Sequence, residues 1–162
     1  MKRSKFFAVL GAALFSIAGL SFVYASSDSL RASADSRVNG RNLPIYCVET
    51  DQKQVALSFD AAWGNEDTAS ILDTLTKHDV KVTFFMTGGW VEKYPEDVKK
   101  IQAAGHDLGN HSETHPNMSQ LSPEQQKEEL MQVHQRVREL TGEDMILFRP
   151  PYGGYNDQVI QT

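Results

Sequence analysis

The sequence predicts an α/β fold built on a parallel sheet or barrel, and three features carry that expectation. Short apolar runs of strand type alternate with longer runs of helical period, each strand run ends in turn or capping residues, and no internal repeat breaks the alternation. Strand, helix, strand, helix in that order favours right-handed βαβ units, whose parallel strands are covered on both faces.

Residues 55–60 (VALSFD) and 81–86 (KVTFFM) are short apolar-rich runs, the pattern of strands buried on both faces. Residues 44–49, 106–109 and 145–148 are weaker strand candidates. Asn65 is placed to cap a first helix, with Glu66 and Asp67 in its opening turn and Ile71, Leu72 and Leu75 facing inward. Pro95 opens a second helix that stops near Gly105. Ser122 and Gln125 form a capping box around Pro123. Leu130, Val133, Val137 and Leu140 then share one face before a stop at Gly142. Asn156 starts one more helix cap near the end of the sequence.

With 162 residues, 40% hydrophobic and 23% charged, the composition is that of one foldable domain. Sixteen Lys and Arg against 21 Asp and Glu give a net charge of -5, too acidic for a nucleic-acid-binding surface. Cys47 is the sole cysteine, which excludes an intrachain disulfide framework and a CxxC site; it is expected to be a small buried apolar side chain. Lys2, Arg3 and Lys5 precede an uncharged stretch at residues 6–25, which ends in Val23-Tyr24-Ala25-Ser26. This is an export signal, either cleaved or kept as a membrane anchor, and both leave the rest of the chain extracytoplasmic. Losing residues 1–25 removes three positive charges and no acid, so the exported part carries a net -8. Residues 26–42 are rich in Ser, Asp and Arg and read as a flexible stalk, and residues 43–162 as the domain.

Parallel α/β folds bind ligands beyond the carboxyl ends of their strands. Three polar clusters follow strand candidates here: SFDAAWGN from Ser58, HSETH from His111, and RPPYGGYN from Arg149. Singly, each has a plain structural reading. His111 and His115 have a four-residue spacing that lets two imidazoles reach one metal, yet such a pair also arises by chance. Asp60 could be a turn or capping carboxylate, and Arg149 a surface residue on a proline-rich turn.

Together, in chain order, the three clusters resemble the motifs of the polysaccharide deacetylase family, carbohydrate esterase family four, also called the nodulation-deacetylase homology domain. The stretch FDAAWGNEDT is most similar to its peptidoglycan and sporulation branch. The resemblance implies a distorted (β/α) barrel, incomplete in this chain. It also implies metal-dependent removal of N-acetyl groups from an amino-sugar polymer, with peptidoglycan the nearest cell-wall substrate. His111 and His115 would bind a divalent metal, usually zinc, Asp60 would be the general base, and Arg149 would orient it. The backbone N–H of Tyr152 would stabilise the oxyanion. Ser112 and Thr114 would bond loop backbone so that both imidazoles face inward, and Trp63 would either stack on a sugar or pack within its loop. No protein partner is implied.

Two departures stand out. Ala61 occupies the position of the family's third metal ligand, a role that Asp67, Glu66 or water would have to fill. The motifs that in the family carry the arginine-orienting aspartate and the general-acid histidine are absent, so the chain reads as the front part of a longer gene product, inactive alone. His78, His106 and His134 are not expected to replace the acid. The alternatives are a non-catalytic sugar-binding protein of the envelope, or a deacetylase or esterase acting on chitin or xylan.

Overall fold

In the computed structural model, residues 37, 38 and 40–162 are described. The expected export segment and residues 26–36 of the expected stalk lie outside them. Among the described residues no helix is long and apolar enough to cross a membrane.

The end of the expected stalk is structured. Strand β1 (Arg37–Val38) pairs antiparallel with β2 (Arg41–Asn42) across Gly40, whose φ of +79° suits glycine. The buried Asn42 donates its backbone N–H to Asp157 Oδ1 at 3.0 Å, which ties this hairpin to the last helix. Composition could not reveal that contact, because polar and backbone groups make it.

The centre is a parallel sheet of β3 (Ser58–Ala61), β4 (Thr83–Met86) and β5 (Asp107–Asn110), ordered β3-β4-β5. The register aligns Asp60 with Phe85 and Gly109, and Ala61 with Met86 and Asn110. The expected strand at 145–148 contributes a single parallel bridge between Asn110 and Phe148, held by Asn110 N–H to the Leu147 carbonyl (2.8 Å) and Arg149 N–H to the Asn110 carbonyl (2.9 Å). Residues 44–49 form no strand, and Ile45, Tyr46 and Val48 are exposed.

The helices are α1 (Thr68–Lys77), α2 (Gly88–Lys93), α3 (Pro95–Ala103), α4 (Pro123–Thr141) and α5 (Asp157–Gln161). Helix α4 has both bonds of its capping box and ends at Gly142, φ +78°; Asn156 caps α5 by accepting the Val159 N–H at 2.9 Å. Phe84, Met86, Trp90, Val91, Val98, Ile101, Leu108, Val133 and Val137 form the core between sheet and helices, where most of the apolar burial and its stabilisation lie.

Several expectations need correction. Asn65 does not cap α1: its side chain donates to Asp97 Oδ2 at 2.6 Å, Asp67 takes the cap position without a side-chain bond, and Glu66 and Asp67 therefore precede the first turn. Leu72 and Leu75 are buried, whereas Ile71 is half-buried. Residues 55–60 are not buried on both faces: among the described residues β3 pairs with β4 alone, and before it Val55 is 86% and Leu57 52% exposed. Cys47 is exposed rather than buried, in a segment that pairs with no strand. Helix α2 was not legible, since Gly88 and Gly89 argue against a helix. Thr87 Oγ1 accepts the Trp90 N–H at 3.3 Å, and burial of Trp90 and Val91 carries the helix.

His106, at the amino end of β5, gives the fold a pH dependence. It is buried, its Nδ1 accepts the Val82 N–H at 3.4 Å, and its Nε2 has no partner. Burial holds its pKa below the ordinary histidine value, Lys81 adds to the depression, and Asp107 opposes it. Protonation would break the Val82 bond and bury a charge. The neutral form is native, so this contribution is complete above about pH 6.5 and is lost as the pH falls toward the depressed native value. Urea unfolding at pH 7.5 and 5.5 should show a smaller pH penalty for His106→Asn, which keeps an acceptor at the Nδ1 position but does not titrate. An equal penalty in both proteins would exclude His106 as its source.

Candidate active site

Parallel strands deliver their carboxyl ends to one rim, so residues distant in sequence meet there. Asp60 comes from β3, His111 follows β5, and Arg149 follows the Phe148 bridge. Arg149 Nη1 donates to Asp60 Oδ1 at 2.6 Å across 89 residues, and Nη2 donates to Ser58 Oγ at 2.7 Å. The guanidinium lies 4.2 Å above the Phe85 ring, a stacking that fixes its plane and hence the fork presented to the carboxylate.

The same arginine orients the first histidine. His111 is buried, and its Nδ1 lies 2.7 Å from the Arg149 carbonyl oxygen. The carbonyl can only accept, so the proton sits on Nδ1 and the lone pair on Nε2. Burial pushes the His111 pKa down, while the Arg149 carbonyl and the Asp60 carboxylate pull it up. The half-buried His115 meets this ring edge-on at 4.9 Å between centroids. Tyr152 also meets His115 edge-on, at 4.8 Å between centroids.

This geometry demands unusual backbone. Four non-glycine residues among those described have left-handed φ, and three of them are Ser112 (+67°), His115 (+61°) and Tyr152 (+59°). Such strain persists only where surroundings over-determine it. Buried Ser112 donates its N–H to Asn110 Oδ1 at 2.9 Å, and its Oγ accepts the His115 N–H at 3.1 Å, as expected for a loop-bonding serine. Thr114 differs from expectation: it bonds Glu129 of α4 rather than loop backbone, at 2.8 Å from N and 2.7 Å from Oγ1. Glu113 accepts from Arg136 Nη1 at 2.8 Å, and the same nitrogen reaches the Gly88 carbonyl at 3.0 Å. Glu129 and Arg136 are thus clamps on the histidine loop that belong to none of the three sequence clusters. Their seven-residue spacing, which places both on one face of α4, was the available signal.

Two imidazoles of suitable chemistry converge, but the third donor does not. Among the described residues no group of three or more His, Cys, Asp or Glu could hold a metal ion. Glu66 turns back to accept the Asn65 N–H at 3.0 Å, and Asp67 sits at the α1 cap, so neither joins the histidines. Ala61 offers only its carbonyl, which accepts the Thr87 N–H at 3.1 Å. The other histidines lie elsewhere: His78 ends α1, His106 is at the opposite end of β5, and His134 Nε2 lies 3.4 Å from Asp144.

Residues 48–162 match the polysaccharide deacetylase family. The chain belongs to that family. It is 37% identical over 118 residues to the peptidoglycan-N-acetylmuramic acid deacetylase PdaA of Bacillus subtilis, covering 72% of this chain and 45% of that one. It is 38% identical over 103 residues to a peptidoglycan-N-acetylglucosamine deacetylase of Bacillus cereus, covering 64% and 38%. Among solved structures it superimposes with a TM-score of 0.66 on BA3943 of Bacillus anthracis, described as a CE4 family pseudoenzyme, at 40% identity over 68% of this chain and 40% of that one. The chain thus spans less than half the length of these relatives. Its mixed α/β architecture with a parallel sheet is part of the family's fold.

Proposed function

We propose that this protein hydrolyses N-acetyl groups of an amino-sugar polymer of the cell wall, with peptidoglycan as its substrate. The observation that carries this reading is the meeting at one rim of an arginine-held carboxylate, Asp60–Arg149, with the His111–His115 pair. The relatives named as peptidoglycan deacetylases support the substrate class. Export behind Lys2, Arg3 and Lys5 would put the protein where that polymer lies.

His111 and His115 would hold a divalent cation, with zinc the natural match to two neutral imidazoles. A cation held there would supply polarisation of the acetyl carbonyl and a more acidic water. Asp60 accepts the proton of the attacking water as its oxygen bonds the carbonyl carbon, and Arg149 keeps that carboxylate aimed. The Tyr152 N–H donates to the oxyanion of the tetrahedral intermediate. The carbon–nitrogen bond then breaks, acetate leaves, and the amine takes a proton. His78, His106 and His134 lie away from the rim and are not placed to supply that proton.

A second reading is a non-catalytic envelope protein that binds sugar. Ala61, the lack of a three-donor group among the described residues, and the likeness to a pseudoenzyme favour it. Acetate release from N-acetylated glycan strands, measured with zinc and after chelation, tests both. Release only with zinc is the expected result; no release while the glycan still binds would replace hydrolysis with the binding role. Acetylated xylan or chitin as the faster substrate would overturn the peptidoglycan assignment.

A further inference from the structure

We propose that Trp63 and the hollow beside His115 form a second saccharide subsite, taking a neutral N-acetylhexosamine unit next to the one that meets Asp60. The proposal rests on the glycan-directed reading above. Trp63 is 81% exposed, although its loop is firmly held. The Trp90 indole donates to the Gly64 carbonyl at 2.6 Å, Asn65 donates to Asp97 at 2.6 Å, and Gly64 takes a φ of +60° that favours glycine. None of these anchors needs the Trp63 side chain, whose ring contact is an edge-on approach to His115 at 5.3 Å. A large indole kept in water on an ordered loop forgoes the stabilisation its burial would bring. Its free face is available to a ligand.

The position of Trp63 says which ligand. It lines a cavity of about 170 Å³ that contains Asp60 and Ala61, and also a second of about 370 Å³ lined by Thr87, Trp90, Glu92, Glu113 and His115. Trp63 is therefore the ridge between the hydrolytic carboxylate and a second hollow, as a chain of linked sugars crossing the rim requires. An indole face suits the C–H face of a pyranose, and carboxylates accept its hydroxyl groups. The charge selects further. Arg149 is engaged by Asp60 and Arg136 by Glu113, and Lys93, over the Tyr94 ring, also feels the charge of Glu66, so among the described residues Glu92 is the carboxylate of the second hollow without an ion pair. A carboxylate-bearing sugar such as muramic acid meets like charge at Glu92; N-acetylglucosamine does not.

Calorimetric titration of the full chain with N-acetylchitotetraose, and with peptide-free glycan strands containing N-acetylmuramic acid, tests the subsite. Trp63→Ala should weaken binding of the tetrasaccharide by about tenfold or more, and Trp63→Phe by about threefold. Glu92→Gln should strengthen binding of the acidic strand relative to the neutral one. Thermal unfolding of each variant should match the wild type. Tetrasaccharide binding by Trp63→Ala within about twofold of wild type would overturn the proposal. Trp63-dependent binding without acetate release refutes the hydrolytic reading and supports the subsite; acetate release with binding indifferent to Trp63 does the reverse.

Discussion

Asp60→Asn should lower acetate release by roughly 100-fold or more while leaving thermal unfolding unchanged. The amide is nearly isosteric, and its oxygen can still accept from Arg149 Nη1, so the 2.6 Å contact survives in neutral form. What disappears is a group able to take the proton of the attacking water. Stability should hold because the Asp60–Arg149 pair is partly exposed, where an ion pair contributes about 0–1 kcal/mol. Initial rates on N-acetylated glycan, with Tm measured alongside, decide it. Near-full turnover by the variant would remove Asp60 from the chemistry.

Gly109→Ala should destabilise the fold by about 1–3 kcal/mol, the usual scale for a forced methyl in a packed interior. A Cβ at Gly109 would lie 2.5 Å from Phe85 Cδ1, 2.7 Å from Cε1 and 3.0 Å from Thr83 Cγ2. Both neighbours belong to the central strand β4, so the ring must move. That ring carries the Arg149 guanidinium at 4.2 Å, and Arg149 aims Asp60. A packing change in β5 therefore reaches the site through one aromatic side chain. Urea unfolding and acetate release should both suffer, the latter at temperatures where the variant is fully folded. Stability within about 0.5 kcal/mol of wild type, with unchanged release, would show that Phe85 does not support the arginine.

The strand ends were legible because the apolar runs are short and the chemistry-bearing residues follow them directly. Asp60, His111 and Arg149 stand within two residues of a β3 to β5 terminus or the Phe148 bridge, and parallel topology brings such positions together. The Ser122 capping box and the Gly142 stop were legible for a local reason, since each is specified by a few adjacent residues. Helix α2 was not, because tertiary burial of Trp90 and Val91 overrides the low helix propensity of two glycines. The clamps on the histidine loop, Glu129 to Thr114 and Arg136 to Glu113, join residues 15 and 23 positions apart and carry no motif. Among the described residues β3 pairs with β4 alone, and Val55 and Leu57 before it are exposed; a linear pattern does not encode that order of strands.

The central claim is that side chains from three separated segments act as one hydrolytic unit. A double-mutant cycle on acetate release, using Asp60→Asn, His115→Ala and the combined variant, tests it most directly. If the residues act as a unit, the double variant should be within about threefold of the slower single one. Penalties that multiply, so that the combined loss equals the product of the two single losses, would mean that Asp60 and His115 contribute independently and would contradict the single-site account.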